Sequence, residues 1–409
     1  MTPIKFTNST DSKEVEAVKT TKDDKDWYDY NFKKWANAQT EDGSMWVWIP
    51  RYAYRINSST QTCDVVFLEG TSNFYYDVNG TKQTAKRQDI VNETIDTTTG
   101  YMVHPAFTDE SKIGFVNGGW DKELTGIWVA KFEMSMEINK VSTVTENNTI
   151  GNVLTSDTVR AVSKPGVTSW RNITIGNCYT NARYYGDNLG NKQLNSHLLK
   201  NSEWGAVAYL THSNFGRNKT EVTINNNKLF YTVGEEGKTA INNISQSSTG
   251  NKTGIYDLNG CSWEYVASYL SDGVSYLDNG KDANENSFVS TSRNVNGYKI
   301  LSTKYVTVYP FNVELDNESN NWTQYNSLKS IKYGNGDAIL ETSNGGNGTT
   351  SWNGDFSYYP FKNSPFFIRS GSCNHGTNSG IFAFCRCYWR GYYWCIFSCM
   401  FCILKIKCK

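Results

Sequence analysis

Short aromatic and β-branched segments, separated by long stretches of Asn, Gly, Ser and Thr, constrain the fold of this chain most strongly. Its 409 residues include 26 Tyr, 19 Phe and 13 Trp, whereas only 20% of residues are charged. Such a chain can bury a core, and its polarity lies mainly in residues that favour turns and loops. The sequence therefore predicts a loop-rich α+β fold with short antiparallel strands and about two helices.

Charge and hydropathy narrow the classes of partner. The formal net charge is zero, so no charge excess steers the chain towards nucleic acid or an anionic membrane. Residues 1–26 are polar throughout, and the apolar run near the C-terminus is short and interrupted by Arg and Lys. We therefore expect no signal peptide and no membrane span within this chain. Whether Met1 is the true start stays open.

Composition also suggests the domain boundaries. Residues 1–43 are rich in Thr, Lys and Asp, which predicts a flexible N-terminal segment or linker. One domain is expected over residues 44–384. It would begin with a strand in residues 45–56, broken at Pro50, and continue with a second strand in residues 127–133.

Two helices are predicted, the clearer of them from its apolar spacing. The clearer one follows Asn201, with Ser202 as its cap and Phe215 near its end, and the other covers residues 173–185.

The last 25 residues, 385–409, differ in composition from all the others. Six of the ten cysteines lie there, beside Trp389 and Trp394. One interpretation is a metal-binding or disulfide-forming tail. The other is a frameshift near Phe384, because reading one base later converts both Trp codons to Gly and permits the ending S-F-R-V-C-F. Under that hypothesis the tail packs poorly or remains detached, with exposed thiols.

Four segments, in this order, carry a family resemblance. The sequence Y-D-L-N-G-C-S-W-E-Y at residues 256–265 resembles the Y-D-M-x-G-N-V-W-E-W signature of formylglycine-generating-enzyme-like (sulfatase-modifying-factor) domains. Weaker similarities are T-G-I-W-V-A-K-F-E at 125–133, L-L-K-N-S-E-W-G at 198–205 and R-S-G-S at 369–372. The resemblance implies a C-type-lectin-like fold. The pattern is most similar to uncharacterised surface or prophage-encoded proteins of gut Firmicutes.

The resemblance implies a structural calcium site in the signature turn. Its ligands would be the Asp257 side chain, the main-chain carbonyls of Gly260 and Ser262, and the Glu264 carboxylate. Calcium takes about six to eight hard oxygen ligands, so this set, completed by water, suits the ion. The alternative interpretation is a turn with a capping Asp and a solvated Glu.

The residues that perform the family's enzyme chemistry have no clear counterparts in this sequence. Formylglycine-generating enzymes bind copper through two cysteines after the R-G-G-S-W motif, whereas Cys373 stands alone here. Related sulfoxide synthases use a histidine triad, and the four histidines show no H-x-x-x-H pairing. Among them, His197 and His212 are expected on the surface or as satisfied core residues.

The chain is therefore interpreted as a non-catalytic binding or display module, located outside the cell, on a cell surface or on a phage particle. Its partner would be an unidentified cell-surface or protein ligand. We expect C-terminal loops to form the contact face, since aromatic anchors and adaptable polar side chains occur together there. The candidate contacts are Tyr358, Tyr359, Phe361, Arg369, Asn374, His375 and Asn378. Alternatives are a formylglycine-generating or sulfoxide-synthase-like oxidase, and a nonfunctional frameshifted fragment.

Overall fold

The architecture is taken from a computed structural model of the chain. It describes residues 1–8, 15–87, 100–111, 116–139, 141–142, 151–191, 193–271, 293–295, 298–300, 302–310, 322–361, 364–387, 397–399 and 401–405.

The described strands are short and are connected by long loops. In chain order they are β1 (Thr2–Asn8), β2 (Val15–Lys19), β3 (Asn37–Gln39), β4 (Met45–Pro50), β5 (Tyr52–Asn57), β6 (Thr62–Phe67), β7 (Phe74–Tyr76), β8 (Lys82–Thr84), β9 (Met102–Val103), β10 (Gly126–Ala130), β11 (Ser135–Ile138), β12 (Val141–Ser142), β13 (Val159–Val162), β14 (Leu194–Leu198), β15 (Trp263–Leu270), β16 (Arg293–Val295), β17 (Tyr298–Ile300), β18 (Thr307–Tyr309), β19 (Phe366–Ser370), β20 (Gly380–Cys387), β21 (Phe397–Cys399) and β22 (Phe401–Lys405).

The described α-helices are α1 (Ile175–Arg183), α2 (Tyr185–Asn188), α3 (Asn201–His212) and α4 (Trp322–Ser330). Helices mixed with mainly antiparallel sheets confirm the predicted α+β class. The predicted helix after Asn201 is α3, although its first turn is capped by the Glu203 carboxylate, which accepts from the Lys200 backbone N–H, and not by Ser202. The predicted strand over residues 45–56 is confirmed as β4 and β5, which separate at Pro50.

The largest sheet has seven strands in the order β14-β22-β10-β4-β3-β1-β2. Three of these strands come from residues 1–43, which the composition assigned to a flexible segment. They are ordered because β1 pairs with β2 and β3, while Trp35 and Ala38 are buried in the main core. The domain therefore includes this segment.

The C-terminal residues also enter the seven-stranded sheet. Strand β22 lies between β10 and β14 and pairs antiparallel with both. The expectation of a detached tail therefore does not hold for Phe401–Lys405, whose main chain occupies a central position. Residues 388–396 and 406–409 lie outside the described part.

A second sheet, of five strands, carries the signature turn. Strand β15 pairs antiparallel with β19 and parallel with β18 and β21, and β19 continues to β20. One cluster of buried apolar side chains draws on both large sheets and on α1, α3 and α4. The two sheets thus share a core, and this core fixes the position of the turn that precedes β15.

Candidate functional site

A buried lysine places the signature turn beside the end of β10. The Lys131 ammonium donates to the carbonyls of Lys252 and Gly254 at 2.7 and 2.6 Å. The backbone N–H of Tyr256 donates in turn to the Lys131 carbonyl at 2.9 Å. Burial lowers the pKa of Lys131 well below its ordinary value. Because these bonds satisfy an amino group that is fully buried, they hold residues 252–256 against the strand. The turn that follows is therefore brought next to Glu133.

Three residues of the turn have positive φ angles, a conformation that favours glycine. Asp257, Gly260 and Cys261 have φ angles of 62°, 91° and 55°. A side chain at Gly260 would place its Cβ 2.4 Å from the Asn225 carbonyl oxygen, so glycine is required both by conformation and by space. The N–H of Cys261 donates to that carbonyl at 2.8 Å, and the N–H of Asn225 donates to the Asn259 carbonyl at 2.8 Å. Two-way pairing with Asn225 thus stabilises the turn.

Three carboxyl groups meet at this turn, and all three are buried. Glu133 accepts hydrogen bonds from the Ser262 N–H at 3.0 Å and from the Ser169 hydroxyl at 2.5 Å. Asp257 accepts through Oδ1 from the Asn225 side chain at 2.9 Å and from the Val233 N–H at 2.8 Å. Glu264 is the third member, on β15. We call Glu133, Asp257 and Glu264 the acidic cluster.

The acidic cluster has unused hydrogen-bonding capacity. Asp257 Oδ2 and both carboxyl oxygens of Glu264 are buried without a hydrogen-bond partner among the described residues. Burial, together with the neighbouring Asp257 charge, raises the pKa of Glu133 to about 8. Burial raises the pKa of Asp257 to about 6. Burial and the charges of the other two carboxylates raise the pKa of Glu264 well above its usual range. Either protons or a cation must therefore compensate these groups near neutral pH.

The arrangement fits a hard cation in some respects. Buried, partnerless carboxylate oxygens are the ligands that calcium prefers. The Gly260 carbonyl, by contrast, already accepts a hydrogen bond from the Ser370 hydroxyl at 3.1 Å, so it keeps one lone pair for an ion. Across the residues that the structure describes, no group of three or more His, Cys, Asp or Glu side chains is arranged as a metal site. A calcium site here would need main-chain carbonyls and water besides carboxylates.

Sequence reasoning identified two members of the acidic cluster and missed the third. Glu133 lies in the segment quoted for the family resemblance, but its role depends on the packing of β10 against the turn. A charged residue at the end of a predicted apolar strand was the available signal.

The predicted contact face divides into a buried part and an exposed part. Tyr359, Phe361 and Arg369 are buried, so in this structure they do not reach a ligand at the surface. Arg369 lies on β19, donates to the Ala338 carbonyl at 3.1 Å and is balanced by the Asp337 carboxylate. Burial lowers its pKa to about 10. Residues 366–370 are thus a core strand.

The exposed part is a short loop that packs against strand β15. Asn374, His375 and Asn378 are exposed, and Tyr358 is half-buried beneath the guanidinium of Arg386. The ring of His375 packs edge-on against Trp263 at 5.2 Å, and its Nδ1 lies 2.6 Å from the Ser372 hydroxyl. Because Trp263 directly precedes Glu264 in the chain, the loop and the acidic cluster share one supporting strand.

The other histidines occupy the interior. His197 is fully buried, and its Nε2 lies 2.9 Å from Glu203. His212 is also buried, and its Nε2 lies 2.7 Å from the Gln61 carbonyl oxygen. Both are therefore core residues and not surface residues, although Nδ1 of His197 is buried without a hydrogen-bond partner among the described residues.

Comparisons with known proteins do not add a family to these observations. Neither a scan against protein-family models nor a search of curated proteins found a match for the chain. None of the helices in the described ranges is long and apolar enough to cross a membrane.

Proposed function

We propose that the chain is a non-catalytic binding or display module of the C-type-lectin-like fold, stabilised by a calcium ion at the acidic cluster. The observation that supports the ion is the set of three buried carboxyl groups, three of whose oxygens have no hydrogen-bond partner among the described residues. Burying one uncompensated carboxylate is costly, and burying three together adds mutual repulsion. A calcium ion would remove both costs.

The proposed ligands are the side chains of Asp257 and Glu264 and the carbonyls of Gly260 and Ser262. Glu133 lies beside this set, because its carboxyl group accepts a hydrogen bond from the Ser262 N–H and so fixes the peptide that joins Cys261 to Ser262. The ion would act structurally, by fixing the turn from which β15 begins. The exposed loop at residues 374–378 packs on that strand through His375 and Trp263. Calcium binding would therefore also hold the proposed contact surface in place.

The direct test is calcium-dependent stability. Calcium that binds only the folded state should raise the melting temperature at millimolar concentration, and a chelator should lower it. Glu264→Gln and Asp257→Asn keep side-chain size and should abolish the response. Glu110→Gln is the matched control, since Glu110 is also buried and burial also raises its pKa, to about 8, but it lies outside the cluster. An equal melting temperature with calcium and with chelator would rule out the ion.

The contact surface is tested separately. The proposed partner is a cell-surface or protein ligand, and the module is proposed to work outside the cell, on a cell surface or on a phage particle. Fluorescently labelled protein should bind intact bacterial cells, and replacing Asn374, His375 and Asn378 together by alanine should abolish this binding. Replacement of the exposed Asn353, on a different loop, is the control. Equal binding by the triple variant would exclude the loop as the contact surface.

One observation favours an oxidase as the second candidate. Cys373, which stands alone in the sequence, lies beside Cys261 in the fold, and a soft copper site needs two thiolates. Such an enzyme would convert cysteine in a sulfatase-type peptide in a copper-dependent reaction that Cys373→Ser abolishes. Absence of turnover with copper supplied would leave the binding module as the better proposal.

A further inference from the structure

Two cysteines that are far apart in the sequence lie close together in the fold, one of them in the signature turn. Cys261 and Cys373 are separated by more than one hundred residues, yet they form one small apolar cluster with Phe230. Both are buried and both are free thiols in this structure. Neither the sequence spacing nor the family resemblance pairs them.

The backbone sets the distance between the two residues. The N–H of Cys373 donates to the Cys261 carbonyl at 3.0 Å. Standard backbone dimensions then keep the two Cα atoms within about 7 Å of each other. Disulfides bridge Cα atoms that are about 4.4–6.8 Å apart, so this pair can be bridged with little movement of the main chain.

The surroundings distinguish the two thiols. Cys261 is completely buried and lies close to the Glu133 carboxyl group. Cys373 is 6% exposed; burial and the Glu133 charge raise the pKa of its thiol, and the positive charges of Arg171 and Lys228 offset only part of that rise. Solvent and a small oxidant therefore reach Cys373 first, and Cys261 lies behind it as the resolving thiol.

We propose that Cys261 and Cys373 form a disulfide when the folded chain meets a low-molecular-weight disulfide such as oxidised glutathione. The Cys373 thiolate attacks one sulfur of the oxidant, which forms a mixed disulfide and releases one glutathione thiolate. Cys261 then loses its proton and attacks the Cys373 sulfur, which releases the second glutathione thiolate. The two protein thiols are oxidised by two electrons in total, one disulfide of the oxidant is reduced, and the two protons end on the released thiols.

The bridge would connect two functional parts of the fold. Cys261 lies between Gly260 and Ser262 in the turn, whereas Cys373 directly precedes the exposed loop. A covalent link across such a long stretch of chain restricts the unfolded state strongly. Oxidation should therefore stabilise the fold and fix the exposed loop relative to the turn. The inference does not depend on calcium, and its test is done in chelator, so the two proposals fail separately.

The test is disulfide mapping of the folded protein. Protein in chelator is treated with oxidised glutathione, quenched in acid, labelled with N-ethylmaleimide and digested without reduction. Chymotrypsin is included because Phe382 and Phe384 separate Cys373 from Cys385. We expect one linked pair of peptides containing Cys261 and Cys373, about 2 Da lighter than the two thiol peptides together. The melting temperature should rise at the same time.

Two serine variants test whether the disulfide joins Cys261 to Cys373. Cys373→Ser should lose both the linked peptides and the rise in melting temperature. Cys63→Ser is the control, because Cys63 is also a buried free thiol but packs in the main core. It should keep both effects. The proposal is overturned if Cys261 and Cys373 are each recovered with maleimide or glutathione under conditions that oxidise the unfolded chain, or if either is linked to a different cysteine.

Discussion

The acidic cluster leads to a prediction for Glu133→Gln. Glu133 is fully buried, and its pKa is raised to about 8 from an ordinary value of 4.5. Glutamine keeps the size of the side chain and can still accept the hydrogen bond from the Ser262 N–H. The variant therefore removes a buried charge while it preserves most of the packing.

The raised pKa of Glu133 determines how the free energy of unfolding changes with pH. Because the folded state holds the proton more tightly than the unfolded state, the free energy of unfolding falls as pH rises from 4.5 to 8 when no cation is bound. A shift of this size corresponds to about 5 kcal/mol across that range. Glu133→Gln should remove the Glu133 share of this pH dependence and leave the shares of Asp257 and Glu264, so its advantage over the wild type should grow towards pH 8.

The assay is urea unfolding followed by tryptophan fluorescence from pH 5 to pH 9, with chelator and with calcium. In the wild type, calcium should flatten the pH dependence, since a bound cation replaces the protons. At about one hundred times its dissociation constant, a ligand adds about 2.7 kcal/mol. Glu133→Gln should show a smaller calcium effect. Glu110→Gln should also reduce the pH slope, because the pKa of Glu110 is about 8, but should keep the full calcium effect.

Two results would refute this reasoning. One is a Glu133→Gln variant whose stability in chelator falls with pH as steeply as that of the wild type. The other is a calcium effect of equal size in both proteins, which would place any bound ion away from Glu133.

The remaining predictions concern the contribution of a turn, a helix N-terminus and a strand to stability. Gly260→Ala should destabilise the protein by about 2 kcal/mol or more in urea unfolding, because its Cβ would meet the Asn225 carbonyl in a left-handed backbone; stability equal to the wild type would contradict the turn geometry. Glu203→Ala should cost about 3–5 kcal/mol, since it leaves buried His197 and the first turn of α3 without their acceptor; Glu203→Gln should recover part of this loss, and an unaffected melting curve for the alanine variant would disprove the role. A chain ending at Cys387 should aggregate or lose cooperative unfolding, because deleting β22 exposes the edges of β10 and β14; a soluble, cooperatively folded product would show that β22 is dispensable.

Local sequence signals identified much of the fold correctly. Apolar spacing located α3, the second predicted helix corresponds to α1, and Pro50 marked the break between β4 and β5. These features depend on residues close together in the chain, so propensity and periodicity are enough to find them. The candidate ligands Asp257 and Glu264 were also found, because the turn that carries them is a continuous segment.

Predictions from composition were wrong for strands whose partner strands lie far away in the sequence. Residues 1–43 are polar, but β1 and β3 are ordered through their neighbours in the seven-stranded sheet. The same holds for β22, whose main chain pairs with strands more than two hundred residues earlier. Strand pairing satisfies backbone groups whatever the side chains are, so a polar or unusual composition does not exclude a strand.

The sequence by itself determined the α+β class, the principal helices and the turn with its two carboxylates, since each depends on local patterns. Only the tertiary structure decided that Glu133 joins that turn, that Cys261 meets Cys373, and that Arg369 lies in the core and not on the contact face. Those outcomes depend on how the two sheets pack around one core. Burial and proximity between distant segments are properties of that packing, and no single stretch of chain specifies them.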